Sequence, residues 1–480
     1  MAIAMVAIYF AVLVVIGVMA RRRIKGSTDE YFVAGRNIGT FGNSWAFLAS
    51  LASGGSVLAT TGTGLALGWP YGAALLAGAP VGFVVASVLV AKPLRTLGRY
   101  TVPDFFRWRY ESRLIAWVVP IIIVAASMAY IVAQLKGASI VASYVLGVDY
   151  RWGLWGAGLI FVLYVAIGGF LSVTWNDIFQ GILMVAAVAG FAVAAFSALD
   201  GYGTAYGEAM DRFPNLGQFT SLPIASYIGG FLTWAVAISV TPHVIMRVYS
   251  ARDVRSARVS LNVAMLIFAV MMLAITFVLT PAAAVLLADI DLTNADAVFF
   301  ALSEVVLNPM LQGIVAAAVL AVIMSTTAGL LMACNSAIAH DVYARLLRPG
   351  ASEKQVVRVA GVSTWVVGVA SIVLAMNPPE FLVVLYTAAV GLLAASCFAP
   401  MVLGIWWSRS TTAGAVAGLL AGSISFAIAF VGFDMPPSSE VLIGLPLSVL
   451  AMVAVSLATS PVEGEYAHDD EDDAVAAPLH

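Results

Sequence analysis

The sequence predicts an all-α polytopic membrane protein with thirteen transmembrane helices. Of its 480 residues, 62% are apolar and 10% are charged, and the mean hydropathy is +0.99. A soluble domain usually contains about 25% charged residues. Runs of about 20 apolar residues, long enough for a helix to cross a ~30 Å hydrocarbon layer, recur along the whole chain. Because lipid offers the backbone no hydrogen-bond partner, such runs must be helical.

The apolar runs define the predicted spans. They are residues 3–20, 43–67, 72–95, 114–145, 152–173, 178–198, 224–246, 259–288, 309–341, 355–376, 380–406, 411–433 and 440–460. The first run is interpreted as a retained span, because its basic residues follow the apolar core, whereas those of a secretory signal precede it.

The lysine and arginine residues test this count. With the N-terminus outside, 20 of the 23 lie in the loops predicted to be cytoplasmic or at the span ends that border them, Arg247 among them. Such a bias is typical of multi-pass proteins. We therefore expect a plasma-membrane protein with an outside N-terminus and a cytoplasmic C-terminus. The acidic segment 461–480 is predicted to be a disordered cytoplasmic tail.

Paired glycines lie in two predicted spans that are five spans apart. Gly54 and Gly55 lie in the second span, and Gly229 and Gly230 lie in the seventh. Inverted five-span repeats place broken helices at such corresponding positions, although glycine also serves simple helix packing. The expected organisation is a first span and loop at 1–42, repeats at 43–198 and 199–406, and peripheral spans at 407–460.

Three consecutive hydroxyl residues, Ser325, Thr326 and Thr327, interrupt the ninth span. Adjacent residues point about 100° apart on a helix, so their hydroxyls converge on one point only if another segment faces them. The broken second span offers free carbonyls near Ala49 and Ala52, and a hard cation binds such oxygens. The alternative is that each hydroxyl bonds to a carbonyl of its own helix.

Four stretches in order along the chain carry a family resemblance. They are "YVAIGGFLSVTWNDIFQGILM" (164–184), "TPHVIMRVYSARDVRSARVS" (241–260), "AVIMSTTAGLLMACNSAIAHDVY" (321–343) and "NPPEFLVVLYTAAVGLLAASCFAPMVLGIWWSRSTTAGAVAG" (377–418). The chain resembles the sodium:solute symporter family over about residues 30–430. The resemblance implies the LeuT-like fold of two inverted five-helix repeats, alternating access, and a Na+ site. That site would use the backbone of Ala49, Ala52 and Val322 with the hydroxyls of Ser325 and Thr326.

Asp177 lies between two predicted spans, in "TWNDIFQG". From the residues alone it is either the N-cap of the following helix or part of an ion path. In the family that it resembles, the equivalent acid lies on the inward sodium route or at a second sodium site.

Lys136 is a basic residue inside a predicted span and away from both of its ends. Its ammonium either reaches the outer headgroups along its flexible stem or, together with Gln134, holds a substrate carboxylate.

The resemblance also places substrate contacts at the two broken spans. Ser53, Gly55 and Ser56 would face the substrate, together with Trp234 and Ile238. The proline-transporting branch has a tyrosine where Ile238 stands and an aspartate where Leu51 stands. These departures favour an anionic or neutral substrate over a zwitterion.

The sequence thus predicts a sodium-coupled symporter that imports a small organic anion of the acetate, lactate, pyruvate or pantothenate class. A sodium-coupled amino acid symporter and a proton-coupled carrier are the alternatives. A solute sensor is disfavoured because the tail has no room for a signalling domain. An enzyme is not expected, because no histidines, cysteines or paired carboxylates converge in the spans. The expected partners are solute, sodium and lipid bilayer, not nucleic acid, and the oligomeric state stays open.

Overall fold

A computed structural model describes residues 1–21, 28–219, 222–287, 292–377 and 382–460, and these residues are almost wholly helical. The α-helices are α1 (Ala2–Arg21), α2 (Thr28–Val33), α3 (Thr40–Leu51), α4 (Gly54–Val57), α5 (Ala59–Leu67), α6 (Trp69–Val85), α7 (Ala91–Leu97), α8 (Val102–Tyr110), α9 (Arg113–Leu146), α10 (Tyr150–Ser197), α11 (Tyr202–Arg212), α12 (Ile224–Ala237), α13 (Pro242–Ser250), α14 (Val254–Ala274), α15 (Thr280–Leu286), α16 (Val298–Val306), α17 (Pro309–Ser336), α18 (Glu353–Leu374), α19 (Leu382–Trp406), α20 (Thr412–Gly432) and α21 (Val441–Ala458).

Shorter helical segments of other pitch join some of these helices. The 3-10 segments are Ala34–Arg36, Pro214–Gly217 and Leu292–Ala297, and the π-helical segments are Ala86–Val90, Ile275–Leu279 and Ala337–Leu347. Ile38 and Ala251 form an isolated β-bridge.

Eleven helices in the described residues are long and apolar enough to cross a membrane. The other two predicted spans are helical as well, but 43–67 is broken into α3, α4 and α5, and 152–173 contains the shorter apolar stretch Tyr150–Ala166. The protein is therefore a multi-pass membrane protein. The count of thirteen spans and the inverted-repeat layout remain predictions.

The second predicted span breaks beside its glycine pair. Ala52 and Ser53 both have extended backbone conformations, and the Ser53 hydroxyl accepts a hydrogen bond from the backbone N–H of Ser56 at the start of α4. Leu58 keeps helical angles, so α4 and α5 follow each other as one half-helix. A cap of this kind satisfies an N–H group that the break would otherwise leave without a partner.

The seventh predicted span is broken at a different place from the one expected. Gly229 and Gly230 lie inside the continuous helix α12, and the break comes at residues 238–241, before Pro242. Proline has no backbone N–H and a φ suited to a first helical turn, so it begins α13. Gly229 serves packing instead, because its α-carbon lies against the Ser438 carbonyl. The expectation of a break at this glycine pair was wrong.

The boundary expected between 152–173 and 178–198 also moves. The helix α10 kinks at Gly169, whose φ of 59° and ψ of −178° suit glycine. Asp177 lies eight residues beyond this kink, in the helix interior, where backbone N–H groups already bond to the preceding turn. The N-cap interpretation of Asp177 is therefore wrong.

The helix α17 forms the centre of the packing. The span Pro309–Leu347 has 94% of its most apolar stretch buried, the largest share among the described spans. It contacts α3, α9, α10 and α18, so polar side chains on α17 meet protein rather than lipid.

The close packing at Gly229 gives a stability test. In Gly229→Ala, the added methyl group would meet the Ser438 carbonyl, and we expect a loss of about 1–3 kcal/mol from overpacking. The matched control is Gly190→Ala on the exposed face of α10, where a Cβ meets nothing within 4 Å; there alanine should stabilise by about 1 kcal/mol or less. Thermal unfolding in detergent measures both, and equal midpoints would contradict this packing role.

Candidate functional site

The Thr326 hydroxyl joins α17 to the break in the second span. It lies 2.6 Å from the Ala52 carbonyl oxygen and 3.1 Å from the Val322 carbonyl oxygen of its own helix, and it can donate its hydrogen to either. All three residues are buried. The structure thus brings together three of the five residues that the resemblance assigned to a sodium site.

The two neighbouring hydroxyls have different partners. Ser325 donates to Asp177 Oδ1 at 2.7 Å, whereas Thr327 donates to the Ile323 carbonyl of its own helix at 2.7 Å. Of the three hydroxyls, only that of Thr327 bonds solely within its own helix, as the alternative interpretation expected. Ser325 and Thr326 each link α17 to another element.

Asp177 forms a buried ion pair with Arg247, at the far end of the second broken helix. Its Oδ2 accepts from Arg247 Nη2, while Arg247 Nη1 donates to Thr174 Oγ1 at 2.5 Å and Nε donates to Ser50 Oγ at 3.2 Å. The guanidinium carbon also lies 4.5 Å from the centre of the Phe170 ring. Arg247 is 1% exposed, so its assignment to a cytoplasmic loop was wrong.

Ala49 lies one turn before the break. It is buried on α3, where its side chain faces Gly181 of α10. The junction of α3, α10 and α17 thus collects backbone carbonyls, two hydroxyls and one carboxylate, all of them oxygen donors. Oxygen is the donor type that hard cations prefer, so this donor set fits a sodium ion.

A second group of polar atoms lies on the other side of the same break. The Gly54 N–H donates to Gln134 Oε1 at 3.0 Å. Ser53 and Ser56 bond to each other as a reciprocal cap. Gln134 is fully buried, and its Nε2 has no hydrogen-bond partner among the described residues. The start of α4 thus faces a buried amide group with hydrogen atoms still to donate.

Aromatic rings lie against this group. The Tyr386 ring is in direct contact with Gly55, and its centre lies 5.8 Å from those of both Tyr130 and Trp234. Trp234 was expected at this site, whereas Tyr130 and Tyr386 were not. Their signal in the sequence was a tyrosine inside an apolar span, which occurs too often to single out a site.

Two further residues expected at the substrate site have partners within the protein. Ile238 packs against Gly82 of α6. Lys136 Nζ lies 2.8 Å from Asp296 Oδ2, with the two side chains 13% and 2% exposed. Burial raises the pKa of Asp296, although the charge of Lys136 opposes that rise. Lys136 and Gln134 are two positions apart, so they point about 200° apart around α9. The prediction that the Lys136 ammonium reaches the outer headgroups is wrong, because the ammonium forms an ion pair with Asp296 instead.

Comparison with known proteins decides the family. Residues 31–422 match the sequence profile of the sodium:solute symporter family. The chain belongs to this family. The symporter is 29% identical to sodium/proline symporters of several Staphylococcus aureus strains, over 95% of this chain and 92% of the relative.

Solved structures show the same fold. The symporter superposes on the substrate-bound, outward-open state of a Na+-coupled sialic acid symporter with a TM-score of 0.78, at 18% identity, covering 96% of this chain and 98% of that one. A nucleobase-cation-symport-1 family transporter, in a closed conformation with bromovinylhydantoin bound, gives a TM-score of 0.58 at 15% identity, covering 93% and 97%. The protein is thus a sodium-coupled solute symporter and not an enzyme, and sodium is its coupling ion.

The buried ion pair gives a second test of stability. In Arg247→Gln, Asp177 would remain buried without its cationic partner, and we expect the symporter to lose about 3 kcal/mol or more. In the double variant Arg247→Gln/Asp177→Asn no charge stays unpaired, so the added loss should be small and the two effects should not sum. A double-mutant cycle of thermal unfolding measures this. Additive losses would show that the pair contributes no coupling.

Proposed function

We propose that this symporter imports a small organic anion, with a monocarboxylate as its substrate. The single observation that carries the proposal concerns the fully buried Gln134 of α9, which faces the start of α4: its Nε2 has no hydrogen-bond partner in the described part of the chain. A buried N–H without an acceptor is unfavourable, and a carboxylate oxygen is an acceptor of suitable charge.

The proposed carboxylate site lies at the start of the half-helix formed by α4 and α5. The N-terminus of a helix carries partial positive charge, and transporters with broken helices direct such ends at anionic substrates. Gln134 Nε2 supplies a donor from α9. In our proposal, Ser53, Gly55 and Ser56 line this side of the pocket, and Gly55 leaves room beside the Tyr386 ring.

The nature of the pocket wall favours an anion over a zwitterion. Leu51, next to the break, offers no charge to hold an ammonium group, and the rings of Tyr130, Trp234 and Tyr386 present apolar surface. We leave Lys136 and Ile238 out of the proposed pocket because of the partners described above.

The proposed sodium site lies on the other side of the break. Its ligands are the carbonyls of Ala49, Ala52 and Val322 and the hydroxyls of Ser325 and Thr326. Asp177 is proposed to lie on the route by which sodium leaves, since its carboxylate already accepts from Ser325. As cotransported cargo, the ion needs a site that releases it, and neutral oxygens bind sodium less tightly than carboxylates do.

An amino acid such as proline is the second candidate. Relatives over most of the chain are sodium/proline symporters, and the faces of three aromatic rings can stabilise an ammonium group by cation–π attraction. Such a substrate would place its carboxylate in the same site. The two candidates differ in whether the aromatic rings contact an ammonium group or an apolar part of the substrate.

The proposed location is the plasma membrane, with the N-terminus outside and the C-terminus in the cytoplasm. The distribution of lysine and arginine supports this orientation.

Alanine substitutions at three adjacent hydroxyl residues test the proposed sodium site. Thr326→Ala and Ser325→Ala should each weaken sodium activation of uptake about tenfold or more, because each removes a ligand worth about 1–3 kcal/mol. Thr327→Ala is the matched control, since that hydroxyl bonds to the Ile323 carbonyl, and it should stay near wild type. Initial uptake rates in proteoliposomes, measured against external sodium, give the constants. A Thr327→Ala defect as large as the other two would contradict the assignment.

The substrate is tested by uptake of labelled pyruvate, lactate, acetate, pantothenate and proline, under an inward sodium gradient and a potassium control. We expect sodium-dependent uptake of a monocarboxylate. Gln134→Leu should raise its KM about tenfold, because the carboxylate loses a buried donor. As a control for folding, sodium alone should still raise the unfolding temperature of this variant. Sodium-dependent uptake of proline but of no monocarboxylate would establish the second candidate instead.

A further inference from the structure

An arginine-rich cleft is lined by residues outside the proposed transport sites. Its volume is about 600 Å³, and it is formed by α8, the start of α9 and the π-helical segment Ala337–Leu347. The charged side chains that line it are Arg99, Arg107, Arg113, Arg345, Asp104 and Glu111. The positive charges outnumber the negative ones, so the cleft favours an anion.

Of the two acidic side chains in the cleft, Asp104 already has hydrogen-bond partners within the protein. The Asp104 carboxylate oxygens lie 3.2 and 3.3 Å from His340 Nε2, and one of them accepts the Tyr100 N–H at 3.2 Å. Burial alone would raise the pKa of Asp104, but the hydrogen bond and charge of His340, the Tyr100 N–H and the charge of Arg345 together hold it below its usual value. This carboxylate therefore faces His340 and leaves much of the arginine charge in the cleft uncompensated.

Arg107 has a donor without an acceptor. Its Nη1 is shielded from solvent and has no hydrogen-bond partner among the described residues. A shielded guanidinium N–H is unfavourable without an acceptor. Because Arg107 lines the cleft, an oxygen of a bound ligand would supply that acceptor. Arginine side chains match the oxygens of phosphate in a bidentate geometry, which lysine cannot reproduce.

The cleft also lies where lipid headgroups are expected. Arg113 begins the span Arg113–Leu146, and Arg345 lies near the end of the span Pro309–Leu347. The apolar side chains next to them, Leu114 and Leu347, are 50% and 62% exposed. Basic pockets between spans at this depth suit a phosphate headgroup, while neighbouring apolar surface suits its acyl chains.

We propose that this cleft binds a phosphate group, carried by an anionic phospholipid or free in solution. The ligand would bridge α8 and the end of the helix that carries the proposed sodium ligands, because Arg107 and Arg345 lie on those two elements. The apolar side chains beside the cleft favour the lipid as the source.

A cation is a poorer fit to the same region. Asp104, His340 and Asp341 each offer a ligand atom, and these atoms lie within 4.8 Å of one another. However, the positive charges of Arg107 and Arg345 act on Asp341 and Asp104 respectively. A metal ion here would have to overcome that repulsion, whereas a phosphate group would gain from it.

The test uses the purified full-length protein in a neutral detergent. Phosphatidylglycerol, phosphatidylcholine and inorganic phosphate are added separately, and thermal unfolding is followed. A ligand that binds the folded state raises its midpoint. We expect phosphatidylglycerol to raise it by about 2 °C or more and phosphatidylcholine to have no such effect. A rise with inorganic phosphate as large as that with the lipid would identify free phosphate as the source.

Variants locate the effect in the cleft. In Arg107→Gln/Arg345→Gln the rise should disappear, whereas Arg255→Gln/Arg409→Gln, which removes two exposed arginines outside the cleft, should keep it. If the first variant does not fold, the single change Arg345→Gln at an exposed side chain should still reduce the rise by at least half. Equal rises in the cleft variants and the control, or no rise with either phosphate probe in the wild type, would overturn the proposal.

Discussion

The break at Ala52 and Ser53 is the constraint on which the site depends. An interrupted helix in an apolar interior leaves carbonyls on one side and N–H groups on the other without their usual partners, and neither lipid nor packed side chains can replace them. Here the Ala52 carbonyl receives the Thr326 hydroxyl, and the Gly54 N–H is held by Gln134. The break is therefore stabilised by side chains from two other helices, α17 and α9.

The same break separates charge. The end of α3 presents carbonyl oxygens with partial negative charge, and the start of α4 presents N–H groups with partial positive charge. A cation is therefore favoured on one side and a carboxylate on the other, a few residues apart. In the proposed function, this polarity would let one interrupted helix bind two cargoes of opposite charge. It needs no buried formal charge of its own at either position.

The second broken helix reaches this region through Arg247. Its guanidinium bonds to Ser50 of α3, Thr174 of α10 and Asp177, and Asp177 in turn accepts from Ser325. A charge buried this deeply is stable only when it is paired and hydrogen-bonded. The network consequently fixes α13 against α3, α10 and α17, and a change at one of these helices is felt by the others.

These contacts mark the limit of what the sequence could predict. Apolar length predicts spans because helical hydrogen bonds are local, and the Ser325–Thr326 pair stood out because hydroxyls are unusual in such a run. The partners of Arg247 and Lys136 are 70 and 160 residues away, respectively, so no local pattern contains them. The misplaced break has a related cause: Gly229 and Pro242 both disturb helices, and only packing against Ser438 shows that the glycine serves contact. The hydrogen bond between Gln134 and the Gly54 N–H also joins residues distant in sequence, so it could not be predicted from a local pattern.

The geometry of Thr326 suggests how sodium would act in the proposed site. A hydroxyl has one hydrogen and two lone pairs. That hydrogen lies within reach of both Ala52 and Val322, and an ion at the Ala52 carbonyl would require it to turn away from Ala52. The hydroxyl oxygen would then become a ligand, and the ion would replace the hydrogen as the link between α17 and α3. Sodium would thereby strengthen the carbonyl side of the break while the start of α4 stays fixed for the carboxylate. Any gain in substrate affinity that results must be matched by an equal gain in sodium affinity, because coupling between two sites is reciprocal.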